Sequence, residues 1–144
     1  MACIFFGHRD CYSLDFSVLK RTIEELIAEG EDTFYVGHQG HFDSMVLACL
    51  KEIKEVYEHI TYTVVLAYLP KGDSEYDLYQ GCSIYPEIEK GPKRFAIERR
   101  NKWMIDKATH CIAFINRTYG GAYKFAKRAK RKGLKVTNLG NIQL

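Results

Sequence analysis

An apolar run of strand length, Ile112-Ala113-Phe114-Ile115, passes through Asn116 to Tyr119 into the pair Gly120-Gly121. Beyond it, Ala122, Phe125, Ala126 and Ala129 recur at helical spacing. A short apolar run closed by polar and glycine residues reads as a buried strand. The i, i+3, i+4, i+7 recurrence, with Lys and Arg on the opposite side, reads as an amphipathic helix. Gly133 suits the helix stop, and Lys130, Arg131 and Lys132 suit the negative end of its dipole. Glycines between a strand and a helix let a ligand approach the backbone. They also leave the N–H groups of the first helical turn open to an anion such as phosphate. The same pair equally serves a tight turn with no ligand, and neither a full G-x-G-x-x-G nor a P-loop accompanies it.

The alternation extends along the chain. Cys3 to Gly7 is a short apolar strand followed by His8-Arg9-Asp10, and Ser13 to Gly30 reads as a helix with Leu19, Ile23, Leu26 and Ile27 on its buried stripe. Thr33 to Val36 is a second strand, running into Gly37-His38-Gln39-Gly40-His41-Phe42-Asp43; a long helix follows, with Met45, Val46, Cys49, Leu50, Ile53, Val56 and Tyr57 at helical spacing. Tyr62 to Leu69 is a third strand closed by Pro70. Ala96 to Ala108 is a helix, and Lys135 to Leu139 a last strand. Asn101 shares the apolar face of its helix with Ile97 and Ile105, so its amide needs a partner. Between the third strand and that helix, Lys71 to Phe95 shows no period and carries Tyr76, Tyr79 and Tyr85 among charges. Such a stretch is either a lid offering tyrosines to a base or sugar, or a surface crossover.

Unbroken apolar strands suit a parallel sheet covered on both faces. The expected fold is therefore α/β: one Rossmann-like domain over residues 1–144, an open, mostly parallel five-stranded sheet with helices on both faces. The expected strand order is 3-2-1-4-5.

With 144 residues, 47% of them hydrophobic and 27% charged, the chain has the composition of one ordinary globular domain. No apolar run is long enough to span a membrane, and the first residues lack a signal peptide's basic start. Five scattered cysteines without C-x-x-C spacing point to reduced thiols in a cytoplasmic protein. Cys49 and Cys111 read as packed thiols, whereas Cys11, near His8, is expected to be more exposed. The net charge of +3 conceals an asymmetry: no acidic residue follows Asp106, while nine basic residues do. That end reads as a solvated helix face or as a surface for nucleic acid.

In a sheet of this order, ligands bind outside the carboxyl ends of the strands where the winding reverses. The segments expected there are Gly7-His8-Arg9, Gly37 to Asp43 and Asn116 to Gly121. Those segments, with Arg100-Asn101-Lys102-Trp103-Met104 and Gly120-Gly121-Ala122-Tyr123-Lys124, resemble the SLOG superfamily, and within it the small YpsA-like proteins of Gram-positive bacteria and their phages. The likeness covers nearly the whole chain, and its specificity lies in the order and spacing of short motifs. It implies a Rossmann-like fold that binds nucleotides or nucleotide-derived ligands. Some members sense signalling nucleotides, some bind single-stranded DNA, and the Lonely Guy branch cleaves nucleoside monophosphates. This chain departs from the Lonely Guy signature P-G-G-x-G-T-x-x-E: Thr118-Tyr119-Gly120-Gly121-Ala122-Tyr123-Lys124-Phe125-Ala126 has no second Gly-Thr pair and no Glu on the helix.

Binding is thus expected ahead of catalysis. The expected ligand residues are Gly7, His8, Arg9, Gly37, Gly40, Asp43, Arg100, Asn101, Thr118, Gly120, Gly121 and Lys124. Gly120 and Gly121 would hold phosphate, and Arg9 would add a forked contact. Gly37 and Gly40 would admit the ligand to the backbone, Asp43 would accept from a ribose hydroxyl, and Arg100 and Asn101 would form the far wall. The alternatives are a phosphoribohydrolase, with Asp43 or Glu98 as acid or base, and a nucleic-acid-binding module. His8, His38 and His41 lack zinc-like spacing, so no metal and no cofactor is expected. Edge strands and an apolar helix face leave room for a homo-oligomer.

Overall fold

The computed structural model describes residues 1–67, 83–84 and 95–144. Strand β1 (Ala2–Gly7) leads to α1 (Phe16–Ala28), then β2 (Thr33–Val36), α2 (Gly40–Val56) and β3 (Thr61–Val65). A two-residue strand β4 (Ser83–Ile84) follows, then α3 (Ala96–Lys107), β5 (His110–Phe114), α4 (Gly121–Arg131) and β6 (Lys135–Asn138). The sheet order is β4-β3-β2-β1-β5-β6, and every pairing is parallel. The five longer strands therefore take the order expected from the sequence, with β1 beside β5. The sixth, β4, was not expected: it pairs with β3 from within the stretch read as a lid or crossover. Tyr76, Tyr79 and Tyr85, on which the lid reading rests, lie outside the described residues, as does Leu69, the expected end of the third strand.

Alternation along the strands sends side chains to two cores. On one face Phe5, Phe34, Val36, Val64, Ile112 and Phe114 pack against Leu19, Ile23, Leu26 and Ile27 of α1 and Phe42, Val46, Leu50 and Ile53 of α2. On the other, Ile4, Phe6, Val65, Cys111, Ala113 and Ile115 meet Met104 and Ile105 of α3 and Phe125, Ala126 and Ala129 of α4. Burial on both faces explains why the central strands β1 and β5 show no polar alternation. Helix α1 starts later than Ser13 because Asp15 caps it, its carboxylate accepting from the Ser17 N–H at 2.7 Å.

Two features place the functional edge. Strands β1 and β5 pair over five residues, from Cys3 opposite His110 to Gly7 opposite Phe114, so they end together. The chain leaves β1 for β2 on one side, while β5 and β6 lie on the other. The winding therefore reverses between β1 and β5, and the loops after these strands diverge and leave a crevice.

Candidate functional site

A cleft of about 540 Å³ opens at that reversal point. The β1–α1 loop contributes Gly7, His8, Arg9 and Asp10; the β2–α2 segment contributes Gly37, Gln39 and Asp43. Arg117, Gly120 and Gly121 come from the β5–α4 loop and the start of α4. Helix α3 supplies Arg100 and Asn101, and Ile97, Met104, Ala122 and Phe125 form an apolar wall. Nine of the twelve residues expected at the site thus line one cleft. Gly40, Thr118 and Lys124 do not. Thr118 is exposed on its loop. Lys124, expected to help hold phosphate, instead directs its ammonium to Glu98 on α3 at 3.4 Å, linking the two helices.

The glycines divide by what surrounds them. A Cβ on Gly7 would lie 2.2 Å from the Phe42 ring, so Gly7 makes room for a core phenylalanine. Gly40 has φ +85°, and a Cβ there would meet the Arg9 backbone at 2.7 Å. The His41 N–H donates to the Arg9 carbonyl at 2.9 Å, latching the start of α2 to the β1–α1 loop. Gly40 therefore admits Arg9 of the same chain, not a ligand. Gly37 likewise leaves room for Arg100 Nη1 and Asp43 Oδ2, each within 2.8 Å of where its Cβ would stand. Gly120 and Gly121 alone among the cleft glycines face open space, and only Gly120 needs a left-handed backbone, at φ +94°. No side-chain cap closes the start of α4, and its first residues, Gly121 and Ala122, line the cleft with Gly120.

A polar wall of buried Arg100 and Asn101 with half-buried Asp43 stands opposite. Arg100 Nε donates to Asn101 Oδ1 at 2.8 Å and Nη1 to the Val65 carbonyl at 3.3 Å, giving Asn101 the partner its position demanded. Asp43 Oδ2 accepts from the Gln39 N–H at 3.0 Å, reaching back over the first turn of α2 as in a capping box. Burial pushes the Asp43 carboxyl up from 3.8 to about 6, although Arg100, the Gln39 N–H and Arg9 pull the other way. Burial, with Arg100 nearby, lowers His38 to about 4. Its Nε2 accepts from the Ala67 N–H at 3.2 Å and lies 3.0 Å from Gln39 Nε2, so the ring is neutral with its proton on Nδ1.

Three residues beyond those expected matter here. Asp10 and Arg117 face each other across the diverging loops in a two-pronged ion pair, Oδ1 to Nη2 at 3.0 Å and Oδ2 to Nη1 at 3.1 Å. Their signal in the sequence was opposite charge on two loops that only the strand order brings together. Gln39 lay within a recognised segment but carried no signal of its own. Among the described residues, four buried side-chain atoms have no hydrogen-bond partner, and His8 Nε2, Gln39 Oε1 and Arg117 Nε are three of them. All three residues line this cleft.

Cys11 is fully buried, not exposed as expected near His8, and burial lifts its thiol to about 11. Cys49 and Cys111 are buried as expected, their thiols pushed up to about 12. No described thiol has the character of a nucleophile. His41 packs against Tyr12 in a tilted pair, with ring centroids 4.9 Å apart. No helix among the described residues is long and apolar enough to cross a membrane. No protein-family model and no curated protein matches the sequence.

Proposed function

We propose that the cleft binds a nucleotide or nucleotide-derived small molecule, and that the chain is a SLOG-type domain acting as a sensor or binding protein. The observation that carries the reading is the set of unpartnered buried atoms. Native interiors leave few such groups, each costing about 1–3 kcal/mol. Three of the four found among the described residues belong to side chains that line this one cleft, which sets it apart from the rest of the fold. The cleft lining combines cations and donors, Arg9, Arg117 and the uncapped start of α4, with the Asp43 carboxylate as an acceptor, which suits a sugar hydroxyl or an exocyclic amine. The wall of Ile97, Met104 and Phe125 suits a flat apolar group between them. The buried, unactivated thiols fit a reducing, cytoplasmic setting.

Native mass spectrometry of the purified protein, followed by calorimetry against a nucleotide panel, tests the reading. A nucleotide-like mass and saturable binding that Gly121→Val removes support it. Failure of every nucleotide and nucleoside to bind refutes it.

One observation favours a second reading, a phosphoribohydrolase. The Asp43 carboxyl, held at about 6 in the cleft, has the acid–base range such a reaction uses. Glu98, the other candidate acid, is engaged with Lys124. Release of free base from a nucleoside monophosphate, lost in Asp43→Asn, distinguishes catalysis from binding. The nucleic-acid reading is weaker, since Lys124, Lys130 and Lys132 of the basic end each contact an oxygen of the chain itself. It requires an affinity that falls steeply with salt.

A further inference from the structure

We propose that the outer edge of β6 receives an acidic, extended peptide segment of a partner protein as an added strand, and that the cations beside this edge select it. The inference concerns a surface outside the cleft and does not depend on what the cleft binds. β6 ends the sheet on its side and pairs with β5 alone. The Lys135 N–H donates to the Thr109 carbonyl at 3.0 Å, and the Leu139 N–H to the Ala113 carbonyl at 2.8 Å. Alternate residues of a parallel strand bond to the same neighbour. The main-chain N–H and C=O groups of Val136 and Asn138 therefore point away from β5. Among the described residues no backbone group bonds them from the outer side. Val136, Thr137 and Asn138 all keep part of their exposure.

This edge is held ready for pairing. Asn138 grips the end of β5 with both halves of its amide, donating to the Ile115 carbonyl and accepting from the Ile115 N–H. The Leu134 N–H donates to the Ala129 carbonyl where α4 hands over to β6. An incoming strand meets backbone that is already ordered, so pairing costs less entropy. The usual protections of an edge are few here: β6 carries no proline, and no bulge interrupts its register with β5. The segment after it lays Ile142 and Leu144 against the α4 side of the core and makes no backbone–backbone hydrogen bond to β6.

Charge is what distinguishes this edge, and it decides the occupant. The Val136 side chain joins the core under α4, so Lys135, its neighbour in the strand, stands on the opposite face. On α4, Lys124 and Lys132 reach Glu98 and Asp106 of α3. Helical spacing then sets Lys127 and Lys130 on the side turned away from α3, towards β6. Lys127 and Lys135 form no ion pair among the described residues, and no acidic residue follows Asp106. A second copy of this chain fits poorly, because two-fold pairing through β6 sets each α4 and each Lys135 near its own like charges. A nucleic acid meets the cations but leaves the donors and acceptors of the strand unpaired. An acidic extended segment satisfies both. Its backbone continues the ladder, and its alternate side chains meet Lys127 and Lys130 on one face and Lys135 on the other.

The test selects short peptides from a random display library on the full chain, and the strongest binder is synthesised as the probe. Its sequence should be net acidic. At saturation it should slow hydrogen exchange of the Val136 and Asn138 amides at least about tenfold by NMR. Methylating the peptide's backbone nitrogens one at a time should abolish binding at alternate positions only, since alternate N–H groups face β6. The double variant Lys127→Glu, Lys135→Glu should weaken the peptide at least about tenfold at low salt, with the far-UV spectrum unchanged. Val136→Pro deletes an outward donor and no bond to β5, and should weaken it as strongly. Should Val136→Pro not fold, the methylated peptides decide. A selection that enriches no peptide, or basic ones, overturns the proposal. So does exchange at Val136 and Asn138 that stays at the free rate, or a methylation pattern without the alternation.

Discussion

Replacing Asp43 by Asn should make the ligand-free protein more stable at neutral pH. The carboxyl is raised in the folded state, from 3.8 to about 6, with burial as the largest cause. The folded protein therefore holds this proton more tightly than the unfolded chain does. The resulting penalty is absent well below pH 3.8, grows as pH rises towards 6, and is constant above that. Linkage between the two values gives about 0.5 kcal/mol at pH 4, about 1.5 at pH 5 and about 3 at pH 7. Asn keeps an oxygen that can accept from the Gln39 N–H, and what Arg100 loses is already reflected in the shifted value. Urea unfolding of wild type and Asp43→Asn at those three pH values, compared as a difference, isolates this group from the other titrating carboxylates. The variant should gain about 2–3 kcal/mol at pH 7 and almost nothing at pH 4, while binding its ligand more weakly. A difference that is flat with pH, or a variant less stable at pH 7, refutes the desolvated carboxylate and removes the argument for Asp43 as an acid or base.

Gly7→Ala and Gly121→Ala should behave oppositely. The first drives a methyl into the Phe42 ring and should cost about 1–3 kcal/mol in thermal or urea unfolding; the second adds one in open space without a left-handed backbone, leaving stability within about 1 kcal/mol while weakening nucleotide binding. Arg9→Ala should weaken that binding by about 1.5–3 kcal/mol by calorimetry with the fold intact, and unchanged affinity would make Arg9 a structural residue only. At the opposite edge of the sheet, Glu31 is fully buried, its Oε1 2.6 Å from His110 Nδ1 and accepting from Thr109 Oγ1 at 3.1 Å. Glu31→Ala should lower the urea midpoint by an amount corresponding to about 2–4 kcal/mol, without altering ligand affinity.

The legible and illegible parts of the chain differ in what their residues contact. Strand order was readable because the central strands β1 and β5 are buried on both faces, which turns them into unbroken apolar runs, and the intervening helices carry one-sided stripes. Neighbours within a segment also gave Asn101 its demand for a partner, met by the adjacent Arg100. Glycine roles were not readable, since a glycine says only that a side chain is excluded and not what excludes it. Phe42 excludes it at Gly7, Arg9 at Gly40, and Arg100 with Asp43 at Gly37, each through a contact made by the fold; at Gly121 nothing of the protein does. The Asp10–Arg117 pair was hidden for the same reason, as its members are 107 residues apart and meet only because β1 and β5 end in register.

The two edges of the sheet treat their polar groups differently, and the difference has a physical cause. At the amino-terminal edge the chain mostly closes on itself: Thr109 donates to the Ala2 carbonyl, Thr61 to Asp32, and Glu31 Oε1 gathers His110 and Thr109, which leaves Glu31 Oε2 as the one buried side-chain atom without a partner there among the described residues. At the carboxyl edge the crossovers separate, so β1 and β5 send their loops apart, and His8, Gln39 and Arg117 keep atoms that no neighbour reaches. Asp43 is held there in a charge state that favours unfolding at neutral pH. A group that costs stability in the free protein and faces a cleft can recover that cost only by contact with something outside the chain. Ligand binding should therefore stabilise this protein by more than contacts with well-solvated groups of the same kind would, because each satisfied atom also relieves a desolvation penalty already present. The loops can diverge in this way because Asn138 anchors the end of β5 from outside: its amide donates to the Ile115 carbonyl at 3.0 Å while its oxygen accepts from the Ile115 N–H at 2.9 Å. The strand beside the cleft is thereby fixed.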